Sequence, residues 1–323
     1  LTGKSPLVAD PTSQSKSVHP DFGSVASKSL GPGPNVMPPY VAIPRKPYMT
    51  RPAYLGLHHG AFEVGDPNAK GFRAPFAGIA AGKDGKRLGD RKTLIDQLDR
   101  IHKTEDLRGN LAGVDQFREL AFEMLTSPES ARAFNLAKEP DTLRDRYGRN
   151  LFGQCMMGAR RLVESNVPFV SVHAENFSPN GSFTYDMHEN NFGLLKDYNL
   201  PVLDRCFTAL VEDLEHRGLL DSTLIVVMGE MGRSPKINPK AGREHWPQCG
   251  FSLLAGGGVR QGAVFGQTDK QAGYPIDHPV SPGDVVATIY QLLGIDPHMT
   301  VPDLDSKPVA VAHGGEPIWD VIG

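Results

Sequence analysis

Thr223-Leu-Ile-Val-Val-Met228 is followed at once by Gly229-Glu-Met-Gly-Arg233 and then by Ser234-Pro235. A near-continuous apolar run rich in β-branched residues is the pattern of a strand covered on both faces, as in a parallel sheet. A Gly-rich stretch carrying an acid and an arginine directly after it is where an open α/β sheet places ligand-binding residues, beyond the carboxyl ends of its strands. The elements on either side continue this rhythm. Upstream, Leu195, Leu203, Phe207, Leu210 and Leu214 fall near helical spacing and Gly218 marks a helix end. Further upstream, a helix over Leu151–Ser165 precedes Val167-Pro-Phe-Val-Ser-Val172, a second β-rich run. Downstream, Phe251-Ser-Leu-Leu-Ala255 is a third strand, and a last helix spans Pro282 to Leu293. Strands alternating with helices predict an α/β fold with a mostly parallel sheet.

The rest of the chain is less regular. Gly 35 and Pro 27 in 323 residues exceed the average combined usage of ~12%, so loops take up much of the molecule. They concentrate in residues 1–90, where Gly31-Pro-Gly-Pro34, Pro38-Pro39, Pro44, Pro47 and Pro52 interrupt regular structure. One short helix is expected around Asp21–Leu30. Residues 91–146 read as helical, through Leu94, Leu98 and Ile101 and through Phe117, Leu120, Ala121, Met124 and Leu125. Ser127-Pro128-Glu129 has the form of an N-cap followed by proline in the first helical turn. Residues 147–323 form the α/β core, and all three parts are read as one domain.

Charge and cysteine usage exclude several functions. Lys plus Arg 34 against Asp plus Glu 37 gives a formal charge of -3, with no basic surplus to attract nucleic acid or an anionic membrane. No apolar run approaches the roughly 18 residues of a membrane-spanning helix. Cys155, Cys206 and Cys249 are three, mutually distant in sequence, and so point neither to a disulfide scaffold nor to a cysteine zinc site.

The chemistry-bearing residues follow the strands. Asp186-Met-His188 lies in the polar loop after the Phe169–Val172 strand. Glu230 and Arg233 follow the Leu224–Met228 strand, and Arg243-Glu-His-Trp246 comes a short loop later. Imidazole plus carboxylate is the ligand set of zinc and related divalent ions, and arginines beside it suit an oxygen-rich anion. Each piece alone also reads as ordinary structure: a turn acid with a surface imidazole, a helix-cap glutamate, a stacked His–Trp pair. Four smaller candidates read first as structural: His58-His59-Gly60, His173 near Glu175, Asp277-His278, and Gly256-Gly-Gly258 with Arg260. The last lacks the phosphate-loop pattern and the helix that should follow it.

The longest stretches carry a resemblance. Arg146-Tyr-Gly-Arg149, Phe152-Gly-Gln154, Asp186-Met-His-Glu-Asn-Asn-Phe192, Gly218 through Pro235, Arg243-Glu-His-Trp-Pro247, Leu254-Ala-Gly-Gly-Gly-Val-Arg260 and the Pro282–Asp296 helix and turn resemble the bacterial DUF1501 family, abundant in planctomycetes. That family is placed with the alkaline phosphatase and sulfatase superfamily. The resemblance implies a three-layer α/β/α sandwich and a metal-dependent hydrolase of phosphate or sulfate esters. It implies one or two ions of zinc, manganese or calcium, and a small-molecule or glycan ester as substrate. Carried over by position, Asp186, His188 and His245 form one metal site and Glu230 contributes to another; in such a hydrolase the adjacent Arg233 and Arg243 would bind the anion. Met231 stands where the superfamily has a ligand histidine. The superfamily's nucleophile and first ligand lie near its N-terminus, whereas Leu1-Thr2-Gly3 resembles the family's interior; no nucleophile is therefore named, and Thr2 has nothing specific in its favour. None of the three cysteines has the Cys-x-Pro/Ala-x-Arg setting of sulfatases. The alternative is a non-catalytic protein of the same fold that recognises an anionic glycan or a partner protein. Family members often carry a twin-arginine type leader, which implies export to the periplasm.

Overall fold

The computed structural model describes residues 1–4, 17–34, 37–47, 50–72, 123, 127–174 and 185–323. Most of the helical segment expected over 91–146, and the polar loop over 175–184, lie outside the described residues.

Three parallel strands form one sheet in the order β2-β1-β3, where β1 is Tyr40–Ile43, β2 is Phe62–Glu63 and β3 is Phe169–Val172. Helix α1, Phe22–Leu30, precedes β1; the buried Asp21 caps it by accepting from the Ser24 backbone N–H and hydroxyl at 3.0 and 2.9 Å. Helix α2, Pro128–Ala133, starts as its sequence predicts, with Ser127 as N-cap and proline in the first turn. Helix α3, Asp141–Tyr147, leads into α4, Leu151–Glu164.

Helix α4 is the centre of the packing. Cys155 and Leu162 join Val41 and Ile43 of β1 and the flanking Met37 and Val64. Phe152, Met156 and Met157 join Cys206, Leu210, Leu214 and Ile225 on the other side. A helix buried on two faces must be apolar over most of its circumference, and Phe152 through Arg160 are all buried. A third cluster joins α1 to helix α7, Pro282–Leu292, through Val25, Ala26, Val286, Ala287 and Tyr290. All three cysteines are free thiols.

The long helix expected before Gly218 is interrupted. Helix α5, Asn191–Leu194, widens into a π turn over Leu195–Asn199 before α6, Leu200–His216. Pro201 has no N–H to donate to the carbonyl four residues back, so the ladder is already broken there, and a wider turn accommodates the gap.

The Thr223–Met228 run departs from its expected place. Strand β4, Ile225–Met228, pairs antiparallel with β7, Ser252–Ala255, and only Ile225 of the four is fully buried. Its apolar character comes from packing on α4 and α6, through Ile225 and Val227, rather than from parallel neighbours on both sides. Parallel pairing among the described residues is confined to β2-β1-β3. The α/β class holds, with antiparallel pairs added after it: β5, Gly232–Ile237, with β6, Arg243–Trp246; β8, Gln267–Thr268, with β9, Pro275–Asp277; and β10, Thr300–Pro302, with β11, Pro308–Ala310. Gly256, Gly257 and Gly258 all have positive φ (68°, 48° and 82°); they form the tight turn leaving β7.

Candidate metal centre

Asp186 and His188 share a face because of the residue between them. Met187 is buried and accepts from the Asn199 side-chain amide at its sulfur, 3.6 Å away. Met187 points inward while the side chains on either side of it are about two-fifths exposed, so Asp186 and His188 face outward together.

The β5–β6 hairpin brings the remaining groups. Arg233 and His245 are direct cross-strand partners. Both end on one oxygen, Asp186 Oδ1, with Arg233 Nη1 at 2.6 Å and His245 Nε2 at 2.9 Å. His188 Nε2 is 3.0 Å from that oxygen and 3.3 Å from His245 Nε2. Pro235 cannot donate in the ladder, and the register shifts between Arg233 and Ile237. The carbonyls of Ser234 and Pro235 released by this shift accept from Arg243 Nη1 at 2.6 and 2.9 Å.

The hairpin tip is fastened to the Asp186–His188 loop by backbone hydrogen bonds. Arg243 N–H donates to Met187 O, Asn190 N–H to Lys240 O, and Asn191 N–H to Ala241 O, at 3.0, 3.1 and 2.9 Å. Gly242 makes this contact possible: a β-carbon there would overlap the carbonyl of His188. Gly232 is equally constrained, by the carbonyl of Cys249.

The donor set suits a divalent cation. Ligand atoms about 2.0–2.1 Å from zinc, at bond angles between 90° and 110°, sit roughly 2.9–3.4 Å apart. The observed separations of 2.9, 3.0 and 3.3 Å fall in that range. Two imidazoles and one carboxylate leave a coordination position open, the arrangement of catalytic rather than structural zinc. Asp186, His188 and His245 are the one group of this kind among the described residues. Burial would raise the Asp186 carboxyl, but hydrogen bonds from His245 and Arg233 outweigh it and hold the group below its ordinary range, in the charged form a metal needs.

The other expected site residues stand apart from this triangle. Glu230 lies between β4 and β5 with its side chain 64% exposed, and its nearest site partner is Arg233 Nη2 at 3.9 Å. Arg243 spends one arm on the two backbone carbonyls and lies 5.8 Å from the centroid of Phe192. The His58 and His59 rings lie 3.9 Å apart, tilted by 48°, with Ser27 Oγ 3.2 Å from His59 Nδ1. Asp277 and His278 pair with each other at 2.9 Å. His173 follows β3, donating its N–H to Ile43 O.

Two residues of the site were not singled out by sequence. Glu244 Oε2 lies 2.7 Å from His188 Nδ1, and Asn238 Nδ2 donates to Glu244 Oε1 at 2.7 Å. Those contacts, Asn238 first and His188 second, hold the Glu244 carboxyl below its ordinary range. An acid adjacent to a candidate ligand was the available signal for Glu244. Asn238-Pro239 followed by Ala241-Gly242 reads only as a turn.

The match to known proteins agrees in extent with the resemblance. The family model described as "Protein of unknown function (DUF1501)" matches residues 5–322. No curated protein and no solved structure matches the chain. With its fold and candidate centre falling inside a match that spans nearly its whole length, the chain belongs to the DUF1501 family.

Proposed function

We propose that this protein is a metal-dependent hydrolase of phosphate or sulfate esters. The observation that carries the reading is the convergence of Asp186, His188 and His245 on a space of metal-site dimensions, with Arg233 against the same carboxylate oxygen. Asp186, His188 and His245 would hold the ion, which when bound supplies Lewis-acid chemistry to an ester oxygen. Arg233, 19% exposed, keeps Asp186 ionised and presents further guanidinium N–H groups to an incoming oxyanion. The side chains of Asp186, His188 and His245 are about two-fifths exposed, which leaves the donor groups open to a substrate. The superfamily's three-layer sandwich, a second ion near Glu230, and export across the inner membrane belong to the same reading and rest on the resemblance alone.

A second reading has one observation in its favour. Glu230 and Met231 offer no second cluster beside the first among the described residues, which suits a protein that binds an anionic glycan or partner without turnover. Aryl phosphate and aryl sulfate esters, assayed with added zinc, manganese or calcium, separate the two. The hydrolase reading predicts metal-dependent release of the aryl alcohol, abolished in His188→Ala. Saturable binding of the ester with no release supports the second reading and contradicts the first.

A further inference from the structure

Asn238 uses every hydrogen-bonding position of its amide. Its Oδ1 accepts from the backbone N–H groups of Lys240 and Gly242 at 3.0 and 2.9 Å. Its Nδ2 donates to His188 O at 2.8 Å and to Glu244 Oε1 at 2.7 Å. The two ends of the amide cannot exchange, because reversal would set N–H against N–H and carbonyl against carbonyl. Glu244 is therefore held by one oxygen while the other meets His188 Nδ1 at 2.7 Å. An ionised carboxylate only accepts, so the shared proton sits on Nδ1. A neutral imidazole protonated at Nδ1 carries its lone pair on Nε2. That atom pairs with His245 Nε2 at 3.3 Å; the Asp186 Oδ1 atom 3.0 Å away already accepts from Arg233 Nη1 and His245 Nε2, so the shorter contact to Glu244 takes the His188 proton.

We propose that Asn238 and Glu244 are a positioning pair that fixes His188 as the Nδ1–H tautomer, with the Nε2 lone pair turned to His245 Nε2. Asn238 sets the carboxylate, the carboxylate sets the proton, and the proton sets which nitrogen is the donor atom. The same Asn238 Nδ2 grips the His188 backbone, so ring orientation and loop position are fixed together. The consequence for metal affinity rests on the metallohydrolase reading; the tautomer itself does not.

Glu244→Gln is a sharp test because it reverses the chemistry at constant shape. Asn238 Nδ2 still needs an acceptor, so the oxygen of the substituted amide faces Asn238 and its NH₂ faces His188. An NH₂ donor opposite Nδ1 requires the lone pair there and moves the proton to Nε2. Long-range nitrogen–proton correlation spectra of the metal-free protein at alkaline pH, with His188 assigned from His188→Gln, read the tautomer directly. The wild type is expected to show Nδ1–H and Glu244→Gln to show Nε2–H. Zinc affinity should fall about 10- to 100-fold in Glu244→Gln. The metal-free melting temperature should be unchanged, since the Glu244 side chain is 58% exposed; a purely structural role would move stability and leave the tautomer alone. An Nε2–H wild type overturns the proposal whether or not Glu244→Gln folds. Nδ1–H in both proteins also overturns it. A wild type with the Nδ1–H signature but no zinc binding supports the positioning pair and sinks the metal reading instead.

Discussion

Arg233 and His245 face each other across the β5–β6 ladder and converge on the same oxygen, Oδ1 of Asp186, at 2.6 and 2.9 Å. One strand register thus delivers both an imidazole and a cation to a carboxylate on a separate loop. The arrangement makes the hairpin the carrier of the candidate site, and its failure should be felt in metal binding before it is felt in the core.

Gly242→Ala tests that division. The new methyl group would overlap the His188 carbonyl, so the hairpin tip must withdraw from the loop. Overpacking of this kind costs ~1–3 kcal/mol. Denaturant titration should show a loss of that size, together with loss of zinc binding in the protein that remains folded. Full zinc affinity in folded Gly242→Ala would contradict the hairpin's role.

Arg233→Gln separates anion binding from metal binding. The three donor atoms remain, so metal content should persist. Competition by inorganic phosphate or sulfate should weaken at least about tenfold, the loss of one charge-assisted contact worth roughly 1.5 kcal/mol or more. Unchanged anion affinity would remove Arg233 from the substrate site.

Arg160 should matter more to stability than the half-exposed residues of the candidate metal centre. It is fully buried on α4, with Nε 2.8 Å from Asp213, Nη2 2.8 Å from Glu139 and Nη1 2.7 Å from Glu164. The first two are ionic contacts rather than aligned hydrogen bonds. Tyr147 Oη donates to Asp213 as well, at 3.0 Å. Arg160→Met leaves Asp213 and Glu139 buried with their charge partly uncompensated, a loss of about 3–5 kcal/mol readable by denaturant unfolding. A loss below about 1 kcal/mol would show that Arg217 and Arg161 already neutralise the cluster.

Acid should destabilise the protein through two histidines remote from the centre. Burial first, then the neighbouring His58 and Lys28, push His59 down to about 4; burial, then His19 and Lys4, push His313 down to about 4. Both stay neutral when folded at pH values where the unfolded chain, with the ordinary value of 6.5, takes up protons. Their contribution is complete above that value and is lost as pH falls towards the folded value. His313→Asn with His59→Gln should flatten the pH dependence of unfolding free energy across this window. Asn suits position 313 because the backbone there is left-handed, with φ 53°. An unaltered slope in the double variant would contradict the assignment.

The sequence carried several helix starts, three of the strands and the triad of donors, and the reasons are local. Asp21, Ser127 and Ser281 cap their helices as short polar side chains ahead of helical runs do. Asp186-x-His188 is legible because a two-residue spacing puts both groups on one side. The pairing partner of Ile225–Met228 was not legible, since an apolar run reports burial and not strand direction. Arg243 could not be told from Arg233 by sequence; only the shift at Pro235 turns one towards backbone carbonyls while the other stays on Asp186. Asn238 was invisible for a different reason: its role depends on four contacts that fold together only at the hairpin tip.

Metal stoichiometry tests the central claim most directly. Elemental analysis of the purified protein after loading with zinc, manganese or calcium and removal of free ions should give about one equivalent of a divalent ion in the wild type. The double variant His188→Ala, His245→Ala should retain its fold by circular dichroism and lose that ion. No bound metal in the wild type, or equal metal in a folded double variant, would contradict the account and leave Asp186, His188 and His245 as a polar network.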